Sequence, residues 1–200
     1  MSADHPVVFV LAGPNGEGKS TAAPLLIHEM AGIDRYINAD AIARGLSPFD
    51  PAMSSISAGR VMLRHMDELA NERQSFAIET TLSGVKLAGR LSKLRDDGYR
   101  IHIVYLWLPS AELAIERVAQ RVRLGGHSID EEVVKRRYFR SLTNFMTIYS
   151  PIARSWRVYD NAGVSPSAIA SGSGDSLQIA DDEKWGAFVD GAELGGDGNE

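Results

Sequence analysis

Residues 6–21 read Pro-Val-Val-Phe-Val-Leu-Ala-Gly-Pro-Asn-Gly-Glu-Gly-Lys-Ser-Thr, and this short stretch constrains the fold more than any other. The apolar run Pro6 to Ala12 predicts a fully buried strand, and a helix is expected from about Lys19 to Met30. Between them, Gly13-Pro14-Asn15-Gly16-Glu17-Gly18-Lys19-Ser20 fits G-x-x-x-x-G-K-[ST], with Thr21 following. Glycines there let successive backbone N–H groups turn inward around an anion, and the opening helix adds its positive end. Lys19 would reach the outer phosphates of a nucleotide and the Ser20 hydroxyl would sit on Mg²⁺. Glu17 opposes that charge logic unless its side chain points away from the phosphates, and weaker nucleotide affinity than with Ala at that position is expected.

Short apolar runs and helical patterns alternate through residue 161. Strands are expected at Tyr36–Asn38, Phe76–Thr80, Arg100–Leu108 and Arg157–Asp160, with helices over Pro51–Gln74 and Val85–Arg95. Two helices follow back to back. Ser110 should cap the first, which ends at Gly125-Gly126, and Ser128 with Glu131 has capping-box spacing for the second. The second helix carries a core stripe of Val134, Tyr138, Ser141, Phe145 and Ile148. The fold class is therefore α/β: a mostly parallel sheet with helices on both faces and a helical lid over about 110–149. Residues 1–163 form the main domain, 164–190 an extension expected as a β-hairpin packed on it, and 191–200 a tail expected to be disordered.

Composition closes off other classes. The chain of 200 residues has no cysteine, which removes disulfide frameworks and thiolate chemistry. Its net charge is −5, against a nucleic-acid or anionic-membrane partner, and neither a membrane span nor a signal peptide is legible, so the cytoplasm is the expected compartment. The charge is uneven: residues 162–200 hold eight acids and one base, and residues 1–161 hold 18 acids and 20 bases.

In open α/β sheets the site lies at the carboxyl ends of the strands. Asp40, Glu79 and Asp160 fall there, able to hold Mg²⁺ through water, accept a hydroxyl proton or orient a substrate. Asp160 equally suits a turn and Asp40 a helix cap. Arg117 and Arg121 share a face of the first lid helix; Arg136, Arg137 and Arg140 lie on the second. They read either as a solvated basic face or as guanidinium groups that neutralise phosphate charge. His127 sits where a lid loop would meet nucleotide.

Together Gly13-Pro14-Asn15-Gly16-x-Gly18-Lys19-Ser20-Thr21, Asn38-Ala39-Asp40, Phe76-x-Ile78-Glu79-Thr80-Thr81-Leu82, Gly98-Tyr99, Leu106-Trp107-Leu108 and Gly125-Gly126-His127 resemble the zeta-toxin-like P-loop kinases. The compact chromosomal branch is the nearest in pattern, through Arg136-Arg137-Tyr138 and Tyr159-Asp160-Asn161. Glu17 replaces a small residue, and Asp130 stands where that branch carries Pro. The resemblance implies a kinase using ATP and Mg²⁺ to phosphorylate a sugar hydroxyl of UDP-N-acetylglucosamine or a related UDP-sugar. It further implies a toxin with an antitoxin partner protein. By position Lys19 and Ser20 would hold phosphate and Mg²⁺, and Asp40 would be the base. Glu79 and Thr81 would bind the UDP-sugar, and Arg121, with Arg117 as second candidate, would reach ATP phosphates. A kinase for another nucleotide metabolite and a non-catalytic nucleotide-binding switch are the alternatives.

Overall fold

A computed structural model describes residues 5–29, 31–47, 52–126 and 128–196. Seven strands form one sheet in the order β2-β3-β1-β4-β5-β6-β7. Strands β1 (Val7–Ala12), β2 (Tyr36–Asn38), β3 (Phe76–Thr80), β4 (Arg100–Trp107) and β5 (Ser155–Asp160) run parallel. Strands β6 (Ser167–Ser173) and β7 (Ser176–Ile179) add an antiparallel hairpin at the β5 edge.

Alternation along β1 builds two cores, as expected for a strand covered on both sides. Val8, Val10 and Ala12 join the larger one, with Met62 and Met66 of α3 (Ser55–Asn71), Leu91 of α4 (Lys86–Asp96) and Val118 of α5 (Ala111–Arg123). Val134, Tyr138 and Leu142 of α6 (Glu131–Asn144) complete it. Phe9 and Leu11 face the other way, onto Ala23 of α1 (Lys19–Ala23) and onto Leu26 and Ile27 of the π-helical turn Pro24–Glu29. The expected α/β architecture is the one observed.

Three local expectations are corrected. The cap of α6 is Asp130, whose carboxylate accepts from Val133 N at 3.2 Å, so the helix starts two residues after Ser128 permits. Its end widens into a π turn, Phe145–Tyr149, which carries the buried stripe from Phe145 to Tyr149 and leaves Ile148 half-buried. After the hairpin, residues 182–194 form helix α7 (Asp182–Leu194), including 191–194 of the tail expected to be disordered. Asp181 caps it at 3.0 Å from Lys184 N. Phe188 is fully buried against Tyr105, Trp107 and Phe145. The expected helix start at Pro51, and His127, lie outside the described residues.

Candidate active site

The register brings the carboxyl ends of β1, β3 and β2 together, pairing Leu11 with Glu79 and Glu79 with Asn38. Beyond β1 the chain turns through Gly13, Gly16 and Gly18, all at positive φ. At Gly16 (φ +87°) the requirement is also steric, because a Cβ would lie 2.6 Å from the Ala114 carbonyl of α5. The loop is thereby pressed against α5. Asn161, just beyond β5, donates its side-chain amide to the Glu17 carbonyl and holds the loop from the opposite side.

Lys19 is buried, and its ammonium donates to the carbonyls of Gly13 (2.8 Å) and Pro14 (2.9 Å). Glu17 points inward, so the outward placement that would leave its charge harmless is not the one found. Its carboxylate is 1% exposed, sits 2.5 Å from Lys19 Nζ and accepts from Lys19 N at 3.1 Å. It takes two groups that a bound phosphate would use. Burial pushes its carboxyl above the ordinary glutamate value, and the nearby Lys19 charge only partly offsets that. Among the described residues, Glu17 Oε2 and the buried Asn15 Oδ1 have no hydrogen-bond partner, so the loop holds polar capacity it does not satisfy internally.

Next to the loop is a connected polar cluster. Glu79 accepts from Ser20 Oγ (3.0 and 3.1 Å to its two oxygens), from Asn38 Nδ2 (2.8 Å) and from the Tyr36 hydroxyl. Asn38 works at both ends, because its Oδ1 accepts from Asp40 N (2.8 Å) and Ala41 N (3.0 Å). It therefore caps α2 (Ala39–Leu46) while orienting Glu79. Asp40, in the first turn of α2, is exposed, and the cap is Asn38 rather than Asp40. Tyr36 was not singled out by the sequence, where a lone tyrosine on a three-residue strand carries no signal. Burial and the Glu79 charge raise its phenol further, keeping it a neutral donor. The serine hydroxyl and carboxylate form a small set of oxygen donors, which fits Mg²⁺, a cation that keeps several waters.

The other predicted residues spread around this centre. Thr81 lies in the turn after β3, its hydroxyl 2.8 Å from Ser83 Oγ. Thr21 is exposed at the head of α1. Arg117 donates to the carbonyls of Asn161 (2.9 Å) and Ala162 (2.7 Å), clamping the β5–β6 connection onto α5. A hollow of about 410 Å³ opens along the α5 face lined by Leu113, Glu116, Arg117 and Gln120. Arg121 stands one turn further on, its stem closely approached by Gly126. Asp160 is structural: it accepts from Ala162 N at 2.8 Å and pairs with Lys184 of α7 at 2.9 Å. Among the described residues no helix is long and apolar enough to cross a membrane.

Residues 8–140 match the AAA-domain family AAA_33. The chain belongs to that family. An uncharacterised protein of Haemophilus influenzae is 32% identical to this AAA-domain chain over 126 residues, 63% of this chain and 88% of its own length. Chains of the AvrRxo1-ORF1:AvrRxo1-ORF2 complex superpose with a TM-score of 0.71 with sulphate ions (16% identity) and 0.68 with ATP (17% identity). In both pairs 94% of this chain is covered, and it spans only 64% of the length of theirs. A chain of the PezAT chromosomal toxin–antitoxin system of Streptococcus pneumoniae superposes with a TM-score of 0.66 at 15% identity, covering 98% of this chain and 87% of that one. The fold is the one these chains share.

Proposed function

We propose that this AAA-domain protein is an ATP- and Mg²⁺-dependent kinase that phosphorylates a hydroxyl of a small acceptor, a UDP-sugar such as UDP-N-acetylglucosamine. The observation that carries the reading is the run Ser20–Glu79–Asn38, which joins the phosphate loop through hydrogen bonds to the main-chain N–H of Asp40 and so fixes the helix head that carries the Asp40 carboxylate. A module that only bound nucleotide has no use for such a positioned acid. The ATP-bound AvrRxo1 neighbour supports nucleotide in this fold.

In the proposed reaction the backbone N–H groups of 13–20 and Lys19 hold the triphosphate, and Lys19 exchanges its internal carbonyl partners for phosphate oxygens. Ser20 and Glu79 would hold Mg²⁺, which supplies charge neutralisation. The base of the nucleotide has the hollow beside α5 available to it. Asp40 takes the proton of the acceptor hydroxyl as the hydroxyl oxygen bonds to the γ-phosphorus and the bond from that phosphorus to the β,γ-bridging oxygen breaks, releasing ADP, while Glu79 and Thr81 hold the acceptor. Arg121, and Arg117 if its clamp opens, draw phosphate charge towards the lid. Most of the rate would come from positioning and charge, as phosphoryl transfer requires. A cognate antitoxin protein is part of this proposal, on the precedent of the PezAT neighbour.

Glu17, seated on Lys19, favours a second reading: a nucleotide-responsive switch without turnover. Incubation with ATP, Mg²⁺ and a panel of UDP-sugars, followed by mass spectrometry of new phosphomonoesters, separates the two. Product that disappears in Lys19→Ala and Asp40→Asn supports the kinase; tight ATP binding without product supports the switch.

A further inference from the structure

The turn that carries Thr81 is held from outside, by the second lid helix. Leaving β3, the chain passes Leu82 at φ +55°, a left-handed conformation that a leucine adopts only when its surroundings impose it. Leu82 itself is buried. Three carbonyls of the turn are each taken by a different side chain of α6 or its π turn. Ser141 Oγ donates to Thr81 O, Asn144 Nδ2 to Leu82 O at 2.7 Å, and the Tyr149 hydroxyl to Gly84 O. Because the single Ser141 proton goes to Thr81, the Tyr105 hydroxyl of β4, 2.6 Å away, donates to Ser141 Oγ and fixes it in turn.

Ser141 and Tyr149 are fully buried and Asn144 is 9% exposed, and the Asn144 bond to Leu82 O is itself buried. The π turn makes the third bond available. An unbroken α-helix would bring residue 148 onto the face of 141 and 144, and Ile148 has nothing to donate. One extra residue per turn brings Tyr149 there instead.

The first lid helix is tied elsewhere. Helix α5 packs its Ala114 carbonyl on Gly16 and clamps Asn161 and Ala162 through Arg117, and Asn161 bonds the phosphate loop at Glu17. The two lid helices are thus fastened to different halves of the site, α5 to the nucleotide loop and α6 to the turn after β3.

We propose that Ser141, Asn144 and Tyr149 are positioning residues for the acceptor: they set the Thr81 turn from α6 and leave nucleotide binding to α5. This rests on the kinase reading above, with Thr81 on the acceptor side. Losing one buried bond from such a turn is expected to weaken the acceptor about tenfold, the worth of a buried hydrogen bond whose partner is left unsatisfied. The test compares the full-length wild type with Asn144→Ala and with Tyr149→Phe, which keeps the ring and removes only the donor. The expected result is a KM for UDP-N-acetylglucosamine raised about tenfold in Asn144→Ala and several-fold in Tyr149→Phe, with the Kd for ATP within about twofold of wild type. Equal losses for acceptor and ATP, or an unchanged acceptor KM, would overturn it.

Should the wild type transfer no phosphoryl group to any UDP-sugar, the kinase reading fails separately and amide exchange decides this inference. Exchange at Leu82 and Ser83 that speeds up in both variants, with Lys19–Thr21 unchanged, supports the clamp. Unchanged exchange at Leu82 and Ser83 refutes it.

Discussion

Replacing Glu17 by glutamine should strengthen ATP binding, although it removes a buried ion pair. The wild-type carboxylate lies 2.5 Å from Lys19 Nζ and also occupies Lys19 N. A phosphate oxygen approaching the same ammonium at about 2.8 Å would come within about 5 Å of it. Two like charges at that separation repel by about 3 kcal/mol at an effective dielectric constant of about 20. Rotation of the carboxylate out of the loop relieves part of this, at the cost of re-solvating Lys19, so about 2 kcal/mol, or about 30-fold in Kd, is the expected gain. The amide keeps an oxygen for Lys19 N, and Lys19 keeps its bonds to Gly13 and Pro14.

The sign with pH follows from burial. The Glu17 carboxyl is raised from its ordinary value of 4.5, so its contribution to folding is fully present below that value and is lost as pH rises through the folded one. At pH 8 the variant should therefore exceed wild type in both melting temperature and ATP affinity, and both gaps should narrow as pH falls. Isothermal titration with ATP and Mg²⁺ at a series of pH values from pH 8 downwards measures this. Equal affinities for the two proteins at pH 8 would refute the reasoning, because the carboxylate would then leave the loop without cost.

Asn38→Ala should lower stability by about 1–2 kcal/mol in chemical denaturation, through the lost cap of α2, and should reduce turnover through the freed Glu79. Gly16→Ala should cost about 2–3 kcal/mol and abolish ATP binding in the same titration, because the new methyl group meets the Ala114 carbonyl at a positive φ. Phe188→Ala should destabilise the whole domain by about 3–5 kcal/mol in a single cooperative transition, since this ring fills the aromatic core beneath β4. A separate early transition would instead mark α7 as an independent appendage.

The phosphate loop was legible in sequence because its geometry leaves few residue choices: Gly16 must be glycine on both torsional and steric grounds. The alternating architecture was legible from buried runs such as Val7–Ala12. Helix α7 was hidden by the glycines in it and at its end. Gly191 and Gly195, which resemble tail composition, are where α6 comes close: Leu142 would lie 3.2 Å from a Cβ at 191, and the Phe139 carbonyl 2.6 Å from one at 195. The direction of Glu17 is set by the backbone and not by its charge, and so was not legible in the sequence. At that position the side chain is aimed back under the loop, its Cγ 3.1 Å from where a Cβ on Gly13 would sit. Tyr36 and the three donors on α6 and its π turn act across the fold on partners that no local pattern identifies.

The bond from Asn161 to the Glu17 carbonyl joins residues 144 apart in the chain. A contact of that span forms only after the intervening strands have paired, because its loop-closure entropy must be met first. Helices α3 and α4 and the β1–β3 pair involve much shorter separations and can form without it. During refolding, helical signal is therefore expected to return before nucleotide affinity. A chain caught between the two stages would have most of its secondary structure and no finished cradle, and so would be inert towards ATP until its last parallel strand had docked.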